Sequence, residues 1–176
     1  MDKKAWIKQI CYLGMGIALY VVLSFAIKIP LIGHIQSDFG YIAFGAYLVL
    51  FGIIGTIVGA VGCIIESLIF SGWFPPGWFV GQIFIGVFCG FIFKKAEKIK
   101  NRKIKIAICI ITAVIALFIG VGLIKTLIEC YLFSIPFGVK FINNGVAFVA
   151  DMPPMLLGVF VGFLLKNKRI LTETEK

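Results

Sequence analysis

Long apolar runs separated by short polar segments dominate this sequence. Four of them approach or exceed the roughly 20 residues that a helix needs to cross a bilayer, and these are residues 6–29, 78–93, 104–124 and 139–165. A fifth run, residues 39–71, is long for one such span and short for two. The pattern predicts an all-α, polytopic membrane protein that forms a single transmembrane domain over residues 1–176.

The distribution of basic residues decides how often residues 39–71 cross. If that run crosses twice, with its turn near Gly52, only Lys28, Lys125 and Lys140 of the 17 Lys and Arg residues fall on the outer side. One crossing would move the basic segment at residues 94–105 to the side opposite the N-terminus. Basic residues favour the cytoplasmic side of membrane proteins, so the charges favour two crossings.

We therefore predict six transmembrane helices with both the N and the C terminus cytoplasmic, as in a multi-pass protein of the bacterial cell membrane. The expected helices are residues 6–28, 39–51, 53–71, 77–95, 104–128 and 140–166.

Composition supports a membrane protein. Hydrophobic residues make up 61% of the chain and charged residues 14%, whereas soluble domains have about half and a quarter. The net charge of +9 reflects lysines that flank membrane spans, so we expect no nucleic-acid partner. The five cysteines have no metal-like spacing and are interpreted as small hydrophobic residues.

Polar side chains gather towards the outer end of the predicted bundle, and the inner half is almost wholly apolar. The candidate substrate-binding residues are His34, Gln36, Asp38, Glu66, Trp73, Trp78, Gln82, Glu129, Asn143, Asn144 and Asp151. A carrier or a channel usually has polar groups near the midplane. This arrangement instead predicts a cup that opens outward and captures a small polar molecule.

The residue types in the cup suggest how it would bind. Tryptophans can stack on a flat ring, amides such as Gln82 can pair with ring edges, and carboxylates can accept from donors or hold a cation. Simpler alternatives remain open. Trp73 and Trp78 also fit a membrane-boundary belt, Asn143 and Asn144 a turn or helix start, and Glu129 a solvated helix end.

The acids Glu66 and Asp151 lie inside apolar runs and need partners, and Lys125 or Lys140 could neutralise either. We expect no metal site, because His34 is the only histidine, and no cofactor. Nucleophile–base and phosphate-binding motifs are absent from the sequence, so we do not expect an enzyme, although paired acids leave an intramembrane enzyme as an alternative.

Small residues recur four positions apart in several helices, a spacing that lets helices pack closely in lipid. In the first helix Gly14 and Ala18 have this spacing, and its apolar part beyond Gln9 contains no acid or glutamine. This strip is a candidate contact surface for a partner. The alternative is that it packs within its own bundle.

Taken in order, these features resemble the S components, the substrate-binding subunits of energy-coupling factor (ECF) vitamin transporters. The resemblance covers nearly the whole chain. It rests on the segments GMGIA at 14–18, FGIIG at 51–55, GAVG at 59–62 followed by Glu66, FPPGW at 74–78 and GVFCG at 86–90. Two positions depart from the family pattern, because Ile53 stands where many members have proline and Gly14 where alanine is frequent.

The resemblance implies a mechanism. Such a subunit binds a vitamin or a similar heterocyclic compound from outside and docks through its first helix on a T component that carries two ATPase subunits. Reorientation of the whole subunit then delivers the ligand inside, with the outer loops as a lid. The alternative is a stand-alone ion-coupled carrier that uses Asp151 and Glu66.

Overall fold

The computed structural model describes the backbone of residues 3–26, 28–30 and 36–174 and the side chains of residues 6–26 and 37–167. In chain order the elements are α1 (Lys3–Ala26), β1 (Lys28–Pro30), β2 (Gln36–Asp38), α2 (Gly40–Phe51), a 3-10 turn (Gly52–Gly55), α3 (Thr56–Ser71), α4 (Pro76–Ala96), α5 (Arg102–Leu117), a π-helical segment (Phe118–Lys125), α6 (Thr126–Phe133) and α7 (Phe137–Thr174). The all-α prediction is confirmed. The short antiparallel β1–β2 pair was not predicted.

Five helical stretches of the described chain are long and apolar enough to cross a membrane. They are Trp6–Ala26, Gly40–Ser71, Pro76–Ala96, Arg102–Phe133 and Phe137–Asn167. Their length and hydropathy confirm a protein that spans the membrane several times.

The chain reverses direction within the second of these stretches. Gly52 has φ +61°, a left-handed conformation that glycine adopts without a steric penalty. After the turn α3 runs back beside α2. Two close approaches show this: a Cβ atom at Gly55 would lie 2.6 Å from the carbonyl oxygen of Tyr47, and one at Gly59 would lie 2.5 Å from the ring of Phe44. The stretch is therefore two antiparallel helices joined by a tight turn.

Helix α2 lies at the centre and packs mainly against α7. Glycines allow the two backbones to touch, since a Cβ atom at Gly45 would lie 2.7 Å from the carbonyl oxygen of Met155, and one at Gly158 would collide with that of Ile42. The side chains of Tyr41, Phe44 and Leu48 on α2 are fully buried. Without a hydrophobic driving force between helices in lipid, such close van der Waals packing holds the bundle together.

The bundle has two chemically different ends. The end with the β-hairpin, here called the hairpin end, also holds the start of α4 and the loop between α6 and α7, as the contact of Gly77 with Glu129 shows. The opposite end, here called the basic end, holds the 3-10 turn and the end of α4, because Gly52 approaches the carbonyl oxygen of Gly90. The basic residues 94–105 follow directly.

Helix α7 continues through Pro153 and Pro154. Proline has no N–H, so Pro154 leaves the carbonyl of Ala150 without its usual helical partner. The hydroxyl of Ser37 on β2 donates to that carbonyl at 2.9 Å. The prolines therefore create an attachment point for the hairpin on α7, in keeping with the need to satisfy every freed backbone group inside a membrane protein.

Candidate functional site

Asp38, at the end of β2, joins the hairpin to α1. Its carboxylate accepts hydrogen bonds from the hydroxyls of Tyr20 and Ser24, both at 2.5 Å, and from the backbone N–H of Gly40 at 2.8 Å. Tyr20 and Ser24 are four residues apart in α1, so their side chains lie on one face of the helix. This face of α1 is therefore bound to the hairpin.

Asp151 of α7 is fully buried and supports the same hairpin. Its Oδ1 accepts the backbone N–H of Asp38 at 2.9 Å, one residue after the bond between Ser37 and Ala150. Its Oδ2 has no hydrogen-bond partner among the described residues. A buried carboxylate oxygen without a donor is costly, which makes Asp151 a candidate for binding something that the bundle itself does not contain.

Gln82 of α4 and Tyr41 of α2 extend this polar cluster. The amide of Gln82 donates from Nε2 to the hydroxyl of Tyr20 at 3.3 Å. Tyr41 is close enough to Asp151 and Asp38 to interact with both electrostatically. Oε1 of Gln82 and the hydroxyl of Tyr41 make no hydrogen bond within 3.5 Å among the described residues, although both side chains are fully buried and lie close enough to interact with each other.

A second polar cluster lies where α6 and α7 meet. Glu129 forms ion pairs with Lys125 at 3.8 Å and with Lys140 at 3.2 Å. Asn144 donates to Oε2 of Glu129 at 3.1 Å and to the hydroxyl of Thr126 at 2.9 Å. This network satisfies charges that would otherwise be costly within a membrane protein.

Trp78 lies between the two clusters. The Nζ atom of Lys125 is 3.8 Å from the centroid of its ring, which is the geometry of a cation–π contact. The ring of Tyr41 is tilted by 55° to the indole, with centroids 6.4 Å apart. The indole is thereby placed at the meeting point of the aromatic, cationic and hydrogen-bonding groups.

A cavity of about 300 Å³ opens at the hairpin end next to Trp78. It is lined by Glu66, Ser67, Phe70, Ser71, Trp73, Pro75, Pro76, Gly77, Trp78, Glu129 and Phe133. Its wall is aromatic with two carboxylates, which suits a small molecule that has both a flat ring and polar edges.

The predicted candidates fall into two groups around this cavity. Glu66, Trp73, Trp78 and Glu129 line it. Asp38, Gln82, Asn144 and Asp151 belong to the buried clusters behind it. Both Lys125 and Lys140 form ion pairs with Glu129, and Lys125 also interacts electrostatically with Asp151, one of the two acids that it was expected to neutralise.

The remaining candidates are exposed or lie outside the described residues. Asn143 is exposed on α7, and the turn suggested for Asn143 and Asn144 is not found, because α7 already begins at Phe137. Trp73 is 53% exposed and contacts Phe133, with ring centroids 5.5 Å apart. His34 lies outside the described residues, as does the side chain of Gln36.

Sequence reasoning missed the hydroxyl groups of the clusters. Tyr20, Ser24, Tyr41 and Thr126 sit inside apolar runs, and none was a candidate, yet all are buried. The four-residue spacing of Tyr20 and Ser24, on the helix that leads directly to Asp38, was the one available signal.

Comparisons with known proteins agree with this architecture. A solved structure, the S component for biotin from an ECF-type ABC transporter, is similar over 95% of both chains, with a TM-score of 0.69 and 19% sequence identity. At that identity the likeness concerns the fold, which is that of a membrane-embedded S component. The search of the curated proteins gives no match.

A family model identifies the family itself. The model described as ECF-type riboflavin transporter, S component, matches residues 4–167, so the chain belongs to this family. It is therefore a subunit for vitamin uptake, and it is not an enzyme, as the sequence predicted. S components bind vitamin substrates and pair with ECF T and ATPase modules.

Proposed function

We propose that this chain captures a flat heterocyclic vitamin from outside the cell at the hairpin end, and that the first ligand to test is riboflavin. One observation carries the proposal. Of the four buried polar side-chain atoms without a hydrogen-bond partner among the described residues, three belong to Tyr41, Gln82 and Asp151. Tyr41 interacts with both Gln82 and Asp151 and contacts Trp78, so the three residues lie directly behind a residue that lines the cavity.

The unpartnered atoms can form hydrogen bonds with the polar edge of a flat heterocyclic ring. Oε1 of Gln82 and Oδ2 of Asp151 are acceptors, either of which can take the single ring N–H of an isoalloxazine, and the hydroxyl of Tyr41 can donate to one of the ring carbonyls beside it. The isoalloxazine ring of riboflavin carries both kinds of group on one edge. Trp78 would stack on the face of the ring. The carboxylates that line the cavity, Glu66 and Glu129, would accept hydrogen bonds from the hydroxyls of riboflavin's ribityl chain.

The orientation follows from six crossings with both termini in the cytoplasm. Two features support this count: the reversal at Gly52–Gly55, which turns residues 40–71 into two antiparallel helices, and the gathering of basic residues at the end opposite the hairpin. In this orientation the cavity and the polar clusters face outward, and the basic end faces the cytoplasm.

Delivery would depend on a T component with two ATPases, docked on α1. Gly14 and Ala18 are both exposed, and no described atom from outside the helix lies within 4 Å of the position that a Cβ atom would take at Gly14. The large side chains of Met15 and Leu19 on α1 are also exposed. An open strip of this kind suits a second membrane helix.

Binding and transport can be tested separately with the purified chain. Riboflavin fluorescence should be quenched on titration with the protein in detergent, and biotin should compete only weakly. Gln82→Leu should lower the affinity for riboflavin about tenfold, because it removes one polar contact to the ligand. Absence of riboflavin binding to the folded wild-type chain would disprove the ligand assignment.

The same preparation distinguishes the proposed S component from a stand-alone ion-coupled carrier. The buried Asp151, with one oxygen unpartnered among the described residues, is the observation that favours such a carrier. Vesicles that contain the chain alone should bind riboflavin but not accumulate it when a proton or sodium gradient is imposed. Accumulation that disappears in Asp151→Asn would establish the carrier instead.

A further inference from the structure

A small cavity at the basic end is separate from the proposed vitamin site. It has a volume of about 210 Å³ and is lined by Glu97, Arg102, Lys105, Phe163, Lys166 and Asn167. These residues come from three elements: the end of α4, the start of α5 and the last part of the α7 span. Three of the six side chains are cationic and one is acidic.

The one acidic side chain is already neutralised. Glu97 is paired with Lys166, and Nζ of Lys166 also donates to the carbonyl oxygen of Val49 at 3.4 Å. Arg102 and Lys105 have no ion pair within the described part of the chain. The cavity therefore has an excess of positive charge, carried by Arg102 and Lys105, which form no ion pair among the described residues.

The cavity lies at the level where lipid headgroups lie. The candidate spans end at Ala96 and Asn167 and begin at Arg102, so its lining residues are at or next to the limits of three membrane-crossing helices. Phe163 contributes an apolar side chain to the lining and lies about one helical turn nearer the membrane interior than Lys166 and Asn167. Long basic side chains near helix ends extend towards the interface.

We propose that this cavity binds the phosphodiester headgroup of an anionic phospholipid. Arginine presents a planar fork of N–H donors that matches phosphate oxygens, and lysine adds a compact positive charge. Basic pockets between transmembrane helices are suited to acidic headgroups. The acyl chains would lie along the apolar surface of α7, whose Phe160 and Leu164 are exposed.

The alternative is a diffuse attraction of lysines for an anionic membrane surface, and the chain provides a matched control. Arg102→Gln with Lys105→Gln removes two charges from the cavity. Lys98→Gln with Lys100→Gln removes two charges from the same basic segment, at exposed positions that do not line the cavity. A diffuse interaction would respond equally to both pairs.

The experiment is a titration of the purified full chain with dioleoylphosphatidylglycerol in a non-ionic detergent, followed by native mass spectrometry. Dioleoylphosphatidylcholine is the neutral comparison. We expect one phosphatidylglycerol molecule to be retained in preference to phosphatidylcholine. The cavity pair should weaken that binding by at least about tenfold, the scale of one hydrogen bond to a charged group, and the control pair should leave it within about twofold.

Two results would overturn the proposal. Equal losses in the cavity pair and the control pair would show a diffuse surface attraction. Displacement of the lipid by inorganic phosphate at the same concentration would show that the site takes a free anion and that the acyl chains contribute nothing. Circular dichroism and gel filtration check that each variant is folded. If the double variant in the cavity does not fold, the single variants Lys105→Gln and Lys100→Gln repeat the comparison.

Discussion

At the scale of single residues, Trp78 has the most specific position in the proposed site. Its ring contacts Lys125 and Tyr41, whereas Trp73 is 53% exposed. The two tryptophans line the same cavity, but only Trp78 also touches the buried clusters.

The first prediction compares these two residues. Trp78→Ala should weaken riboflavin binding about tenfold, because it removes an aromatic face that stacks on the ring. Trp73→Ala should change the affinity much less. Fluorescence titration measures both, and equal effects would place the ligand in the outer part of the cavity rather than against the clusters.

Asn144 shows how a residue that looks like a ligand contact also serves the fold. Its amide donates to Thr126 and Glu129, and it is buried at 4% exposure. Its neighbour Asn143 is exposed on the same helix. Neighbouring residues of a helix point about 100° apart around its axis. Asn144 therefore faces the buried network, whereas Asn143 faces away from it.

The second prediction follows from this difference. Asn144→Ala should lower the free energy of unfolding by about 1–3 kcal/mol, because it leaves Glu129 with one donor fewer in a buried network. It should also weaken binding, since Glu129 lines the cavity. Asn143→Ala should have little effect on either. Unfolding in mixed detergent measures stability, and an unchanged Asn144→Ala protein would contradict the structural role.

At the scale of elements, the contact between α2 and α7 positions the site. Asp151 is on α7, Tyr41 is on α2, and the glycines between these helices set how near the two come. Gly158 lies directly against the backbone of Ile42. By contrast, no described atom outside the local helix backbone lies within 4 Å of a Cβ atom placed at Gly145, also on α7.

The third prediction uses this pair of glycines. Gly158→Ala should destabilise the protein by about 1–3 kcal/mol, because the methyl group forces the helices apart. Gly145→Ala should be neutral, or stabilising by up to about 1 kcal/mol, because alanine favours a helix over glycine. Thermal unfolding in detergent distinguishes them, and a stable Gly158→Ala protein would show that the helix pair can separate without cost.

The β-hairpin is the second element that matters for the site. Ser37 and Asp38 hold it to α7 through Ala150 and Asp151, and Asp38 also holds it to α1 through Tyr20 and Ser24. Asp151 thus both holds the hairpin through its Oδ1 atom and carries an Oδ2 atom without a hydrogen-bond partner among the described residues. A ligand bound at Oδ2 of Asp151 in the proposed site would therefore contact a residue that also holds the hairpin.

At the scale of the whole molecule, α1 differs from the other spans. It is the least buried of the five stretches, with 22% of its most apolar window inside the bundle. One of its faces is tied to the hairpin and to α3, and another displays Gly14, Met15 and Ala18. A helix that is this exposed in one chain suits a subunit that is part of a larger assembly.

The fourth prediction tests docking on this helix. Gly14→Leu with Ala18→Leu should abolish transport in cells and leave riboflavin binding to the purified chain unchanged, because the bulky side chains block the approach of another helix. Gly16→Leu is the contrasting variant. It should impair folding, because a Cβ atom there would lie 2.6 Å from the ring of Tyr47. Normal transport by the double variant would rule out this docking face.

The sequence by itself determined the class of the molecule. Apolar length and the placement of lysines are properties of single segments, so the membrane spans could be predicted without knowledge of packing. The same holds for the acids Glu66 and Asp151, which are conspicuous because a carboxylate is costly in an apolar run. The order of small-residue segments was enough to indicate the S-component family.

The tertiary structure decided which polar groups meet. Tyr20, Asp38, Gln82 and Asp151 are far apart in sequence, and only the packing of α1, α4 and α7 brings them together. The choice of ion-pair partner was equally hidden, since Lys125 and Lys140 could have paired with several acids and both form ion pairs with Glu129. Segment hydropathy fixes where a helix lies, but a hydrogen bond depends on rotation and distance to within an ångström, and helix packing alone sets those.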